Sequence, residues 1–99
     1  MIRRPTLACM LYGIVHWRKN YIQTPIHLRQ LHSILIYLQV PEALYDFSGD
    51  MTRTGAYSIE WIEQGWEEYQ IENGRKHSVA VFGSETDACY DLLYRVIHL

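Results

Sequence analysis

The five histidines and the acidic middle of this chain are the residues that could do chemistry. Histidine can shuttle protons near neutral pH or hold zinc, and carboxylates can act as acid, base or metal ligand. Their spacing argues against both uses. His27 and His32 are five positions apart, so they do not share a helical face as i, i+4 ligands do. His16, His77 and His98 fall on three different expected elements. A hydrolytic or nuclease set can be drawn from His77, Arg75 and either Glu68 or Glu72. Hairpin pairing, however, puts Glu72 opposite Arg75 and Gln70 opposite His77, and an ordinary cross-strand ion pair accounts for that arrangement. Gly83–Ser84 could receive an anion at a helix start, but Glu85 and Asp87 would repel it, so capping is the better explanation. No nucleophile elbow, phosphate loop, dinucleotide fingerprint or Cys-x-x-Cys pair occurs. The residues therefore read as a protein without a catalytic group, a metal or a cofactor.

What remains is binding. The chain has eight Tyr and three Trp in 99 residues, and such aromatics serve both cores and binding hot spots. The net charge is only −2, but it is unevenly spread. Residues 1–40 carry Arg3, Arg4, Arg18, Lys19 and Arg29 and no acid, whereas residues 41–72 carry eight carboxylates against Arg53 alone. An acidic middle repels nucleic acid and steers basic partners; the plainer account is a solvated strand surface.

The elements that must position these groups can be read in turn. A length of 99 residues is one domain, 1–99, with a core over 25–99. Leu7, Met10, Leu11, Ile14 and Val15 have helical spacing, with Pro5 at a first turn, while Gly13 and two β-branched residues oppose it; residues 1–24 are either a further helix or a poorly ordered segment. The start imitates a signal peptide but lacks an A-x-A site, and its apolar run is too short for a bilayer. Two distant cysteines, Cys9 and Cys89, suit a reducing cytoplasm, with Cys89 read as a buried free thiol. Thr24–Pro25 starts a helix over about 25–39 that carries Leu28, Leu31, Ile34, Leu35 and Leu38 and is ended by Pro41. Gln64–Gly65 and Asn73–Gly74 act as two-residue turns between strands at 56–63, 66–72 and 75–82. Ser84 caps an amphipathic helix over 84–97 with Ala88, Cys89, Leu92, Leu93, Val96 and Ile97 on its apolar side.

The expected fold is α+β: one or two N-terminal helices, a three-stranded antiparallel meander, and a C-terminal helix packed on one sheet face. That face collects Tyr57, Ile59, Trp61, Trp66, Val79 and Val81, with Glu63, Glu68 and Gln70 as its polar members. The other collects Ser58, Glu60, Ile62, Glu67, Tyr69, Ile71, Lys76, Ser78 and Ala80. It has no evident cover, and an apolar centre among charges is how an interface is built. The alternatives are that the N-terminal helices cover it or that scattered surface apolars are tolerated.

The run from Ala56, "AYSIEWIEQGWEEYQIENGRKHSVAVFGSETDACYDLLYRV", resembles small bacterial immunity proteins of polymorphic and contact-dependent growth inhibition toxin systems. The resemblance spans about 28–97 and rests on Tyr45, Gly49, the Ala56-Tyr57-x-Ile59-Glu60 run, Gly65-Trp66, Tyr69, Glu72-x-Gly74-Arg75-Lys76, Phe82 and Ser84-Glu85-x-Asp87-Ala88-Cys89, followed by Leu92-Leu93. Asn73 stands where a basic residue is common and Glu68 where an apolar one is common. The resemblance implies a non-enzymatic cytoplasmic protein that binds a cognate toxin domain and blocks its active site. The charge map suits a basic, nuclease-type toxin. On this reading Tyr69, Ile71 and Ile62 are the anchors, and Glu60, Glu67 and Asp50 the steering charges. The alternative class is a small self-associating adaptor that forms a homo-oligomer through an open sheet edge or aromatic face.

Overall fold

Residues 24–99 are described in the computed structural model of the protein. The helical stripe expected between Leu7 and Val15, and Cys9, lie outside them. The architecture is α+β, in the order α1 (Leu28–Tyr37), one turn of 3-10 helix (Glu42–Leu44), β1 (Tyr57–Ile62), β2 (Gly65–Glu72), β3 (Arg75–Phe82) and α2 (Glu85–Ile97). The strands form an antiparallel meander in sequence order. No helix among the described residues is long and apolar enough to cross a membrane.

α1 starts at Leu28, three residues later than Pro25, because tertiary contacts hold residues 24–26 in place. The Tyr90 hydroxyl donates to the Thr24 carbonyl at 2.8 Å, and Thr86 Oγ1 both donates to the Ile26 carbonyl (3.1 Å) and accepts from its N–H (3.3 Å). The helix is then capped at His27, whose N–H donates to Gln30 Oε1 at 2.7 Å. Glu85 supplies a further acceptor: its Oε2 takes the Leu28 N–H at 2.8 Å and its Oε1 lies 3.0 Å from His27 Nδ1. A carboxylate there meets both the free first-turn amides and the positive end of the helix dipole. At the other end Gln39 adopts a left-handed φ of 60°, and the Val40 N–H returns to the Leu35 carbonyl at 3.0 Å, which closes the helix before Pro41.

α2 matches its expected span. The Ser84 side chain accepts the Asp87 N–H at 3.1 Å, and Ala88, Cys89, Tyr90, Leu92, Leu93 and Val96 are buried. They meet Tyr57 and Ile59 of the sheet and Leu31, Leu35 and Leu38 from α1 in one continuous core. Each fully buried Leu contributes on the order of 2 kcal/mol. Cys89 is a buried free thiol, and burial, then the nearby Glu85 charge, push its pKa up to about 12.

The sheet corrects the expected register in two ways. The first turn is Glu63–Gln64, with Ile62 paired to Gly65, so β1 and β2 pair two residues away from the expected alignment. An even slip keeps every side chain on its face. Gly65, at φ +141°, is needed for close approach: a Cβ there would sit 2.5 Å from the Phe82 carbonyl oxygen. The second correction is a β-bulge. Tyr69 pairs with Ser78 but Glu68 pairs with Ala80, which leaves Val79 without a partner. Beyond it the faces of β3 exchange. Phe82, opposite Trp66, packs against the core, while Val81, opposite Glu67, is 46% exposed rather than buried. Asn73–Gly74 is the expected tight turn, with φ of 51° and 75°.

Candidate functional site

The second sheet face is not open over Tyr69 and Ile71, and this removes these two as exposed anchors. Tyr69 is 3% exposed and Ile71 is fully buried, in a small second core with Ala56 and Met51. The cover is the segment 46–56. The Gly55 N–H donates to the Ile71 carbonyl at 2.7 Å and the Ile71 N–H to the Ala56 carbonyl at 2.9 Å, which extends the ladder past β1. The fold-back is organised by Asp46, 5% exposed, whose carboxylate accepts the N–H groups of Ser48, Gly49 and Asp50 at 3.0–3.2 Å and the Ser48 hydroxyl at 2.8 Å. Asp50 belongs to this cover. It is exposed, and hydrogen bonds from the Thr52 hydroxyl and N–H hold its carboxyl below the usual range.

The rest of the face keeps the other expected residues. Glu60 and Glu67 sit directly opposite each other, a like-charge pair that Lys76 bridges at 3.0 and 3.2 Å. Its ammonium lies 4.8 Å from the centre of the Tyr69 ring and so closes the remaining side of that residue. Partial burial pulls the Lys76 pKa down, but the two carboxylates more than offset this and hold it above its ordinary value. Ile62 is half-buried at the hairpin end, where Val81 Cγ1 lies 3.4 Å from the Cβ position of Gly65.

Three features were not foreseen. Trp61, expected in the core, is 61% exposed. It lies on the helix side of edge strand β1 but outside the core, and leans edge-on against Trp66 at 5.2 Å. With Glu60, Ile62 and Glu63 it forms the tip of the first hairpin. The signal was present in its position, two residues from the turn on the first strand of a meander.

The second is a cleft of about 420 Å3 lined by His32, Glu42, Tyr45, Asp46, Phe47, Ser48 and Arg53. Tyr45 and Phe47 are stacked at 5.7 Å, and His32 meets them edge-on at 5.7 and 5.8 Å. Arg53 Nη1 lies 3.4 Å from Asp46 Oδ1, and its Nη2 donates to the Glu42 carbonyl at 2.6 Å.

The third is Glu68, fully buried beneath α2. Its Oε2 accepts from Arg95 Nε at 3.2 Å, and Arg95 Nη2 also reaches Asp91 Oδ2 at 3.0 Å. Burial, then the hydrogen bond and charge of Asp91, push the Glu68 pKa up to about 9 against the opposing pull of Arg95. Oε1 is sealed from solvent without a hydrogen-bond partner, so the raised pKa, which favours the neutral acid, lessens the cost of burying it.

Of the nuclease-like set, Glu72 pairs across the hairpin with Arg75 as expected. His77 Nε2 and Glu72 Oε1 are exposed and 4.0 Å apart, while Glu68 is sealed under the helix. Among the described residues, no group of three or more His, Cys, Asp and Glu is arranged to hold a metal ion. No family model, curated protein or solved structure matches the chain.

Proposed function

We propose that this chain is an immunity-type inhibitor that binds a toxin domain in the cytoplasm and blocks its active site, the target being a basic, nuclease-type domain. The reading rests on the resemblance of the Ala56–Val96 run, and the observation that carries it is the tip of the first hairpin. There an exposed Trp61 stands between Glu60 and the Glu63 turn, with Ile62 on the opposite face. Lys76 is already engaged by Glu60 and Glu67, so it leaves this surface acidic. A large, two-torsion aromatic beside carboxylates suits an electropositive partner, with the charges speeding encounter and the indole slowing release. The contact surface proposed is therefore Glu60, Trp61, Ile62, Glu63 and Val81, in place of one centred on Tyr69 and Ile71.

The test is calorimetric titration against basic nuclease-type toxin domains, beginning with any found encoded beside this gene, with protection of cells producing such a domain as a second readout. Trp61→Ala weakens binding about 30-fold or more, as a central aromatic anchor should. Unchanged affinity would remove the hairpin tip as the interface, and no binding or protection would remove the immunity reading altogether.

Self-association is the second reading, favoured by the exposed outer strand β3. The bulge at Val79 and the basic residues Arg75 and Lys76 on that strand work against edge pairing. A concentration-independent monomer in sedimentation would set it aside.

A further inference from the structure

We propose that the cleft beside α1 is a receiving site for a cationic side chain, a lysine or arginine of a protein partner, held by the Glu42 carboxylate and the Tyr45 hydroxyl. The inference rests on the reading of this chain as a captor of a basic protein and gives that capture an anchor away from the hairpin tip.

The charges already in the cleft decide the sign of the ligand. Asp46 is satisfied by three backbone N–H groups and the Ser48 hydroxyl, and Arg53 lies 3.4 Å from its Oδ1. Arg53 is further tied to the Glu42 carbonyl at 2.6 Å. These two opposite charges are thus largely engaged with each other and with the chain. The Glu42 side chain is different: it is exposed, and among the described residues no hydrogen bond or ion pair occupies it. Glu42 is thus the lining residue that brings an uncompensated carboxylate to this cleft, which disfavours an incoming anion.

The second observation is the Tyr45 hydroxyl. Tyr45 is 4% exposed and lines the cleft, and among the described residues its hydroxyl has no hydrogen-bond partner. Its hydroxyl oxygen keeps contact with solvent, so it is open to a partner that enters the cleft. Burial, then the charge of Glu42, raise its pKa, so it remains a neutral hydroxyl with lone pairs to offer an N–H donor. The rings of His32 and Phe47 supply an apolar wall for the methylene stem and aromatic faces for the charged head. Carboxylate, hydroxyl and aromatic wall together match a long cationic side chain.

Arginine amide is the probe, titrated into the full chain and followed through the amide shifts of His32, Tyr45, Phe47, Ser48 and Arg53, with inorganic phosphate as the anionic control. Saturable shifts in the millimolar range are expected for arginine amide and none for phosphate. Glu42→Gln weakens the binding about tenfold, Glu42→Asp retains part of it, and Tyr45→Phe, which keeps the packed ring, weakens it about threefold. Shifts with phosphate instead, or arginine amide binding indifferent to both substitutions, overturn the proposal. Arginine amide binding without any basic protein bound would leave the cleft standing and sink the captor reading. Toxin-domain binding lost in Trp61→Ala but intact in Glu42→Gln would do the reverse.

Discussion

The two faces of the sheet are closed by different kinds of chain. On one, a thirteen-residue helix lays six buried side chains against Tyr57 and Ile59 and joins a core that reaches α1. On the other, the segment 46–56 covers Tyr69 and Ile71 with little more than Ala56 and Met51, and is held mainly by hydrogen bonds to Asp46 and to the backbone of Ile71. The helix side is held by apolar area, which is costly to disturb at any point. The loop side is held by one carboxylate and a short ladder, so its cover is the weaker of the two. The difference also explains where the molecule is open. The helix leaves only Trp61 outside, at the edge, and the loop stops short of Ile62 and Val81.

The largest effect expected is on the helix side. Leu92→Ala empties a fully buried position and lowers stability by about 3 kcal/mol in urea unfolding. Asp46→Ala is the corresponding cut on the loop side and costs about 2 kcal/mol, because the orphaned amides at 48–50 can partly rehydrate. Its distinguishing readout is hydrogen exchange, which accelerates over 47–56 and at Ile71 while α2 stays protected. Equal exchange on both sides would mean that the two covers do not open independently.

A smaller, pH-dependent effect belongs to the helix side alone. Glu68 is held near a pKa of about 9 in the folded protein against an ordinary 4.5, so the folded state keeps a proton that the unfolded chain releases. That stabilisation is complete below pH 4.5 and is lost as pH rises toward 9, by at most about 1.4 kcal/mol per pH unit. Glu68→Gln keeps the shape without the ionisation. Its stability should be flat across this window and exceed that of the parent by about 1 kcal/mol or more at pH 8. Parallel pH profiles for the two proteins would show that Glu68 is ionised in place and compensated by Arg95.

Much of this fold was legible because its signals are local. Ser84 before Glu85 and Asp87, Asn73–Gly74, and the leucine spacing of both helices each depend on nearby residues, and each appears as read. The alternation of β1 and β2 also assigned the correct faces despite a two-residue error in pairing, since an even slip leaves orientation unchanged. The failures are non-local. Nothing near Val79 marks the bulge that turns Val81 outward and Phe82 inward. Exposure of Tyr69 and Ile71 was misjudged for the same kind of reason. Strand alternation reports which side chains share a face, but the cover came from a polar, glycine-bearing segment with no apolar stripe to announce it. Glu68 is a carboxylate expected on the helix-side face, and it is sealed from water there.

Glu85 and Thr86 join chain segments 57 to 60 residues apart, since they hold the backbone of Ile26 and Leu28 as well as beginning the last helix. This places a requirement on the order of assembly. The first helix has its Gln30 cap locally but gains the Glu85 acceptor only when the far end of the chain has arrived, so its full capping waits for a slow, entropically expensive loop closure. Folding should therefore begin in the two hairpins, with both helices locking together in a single late event.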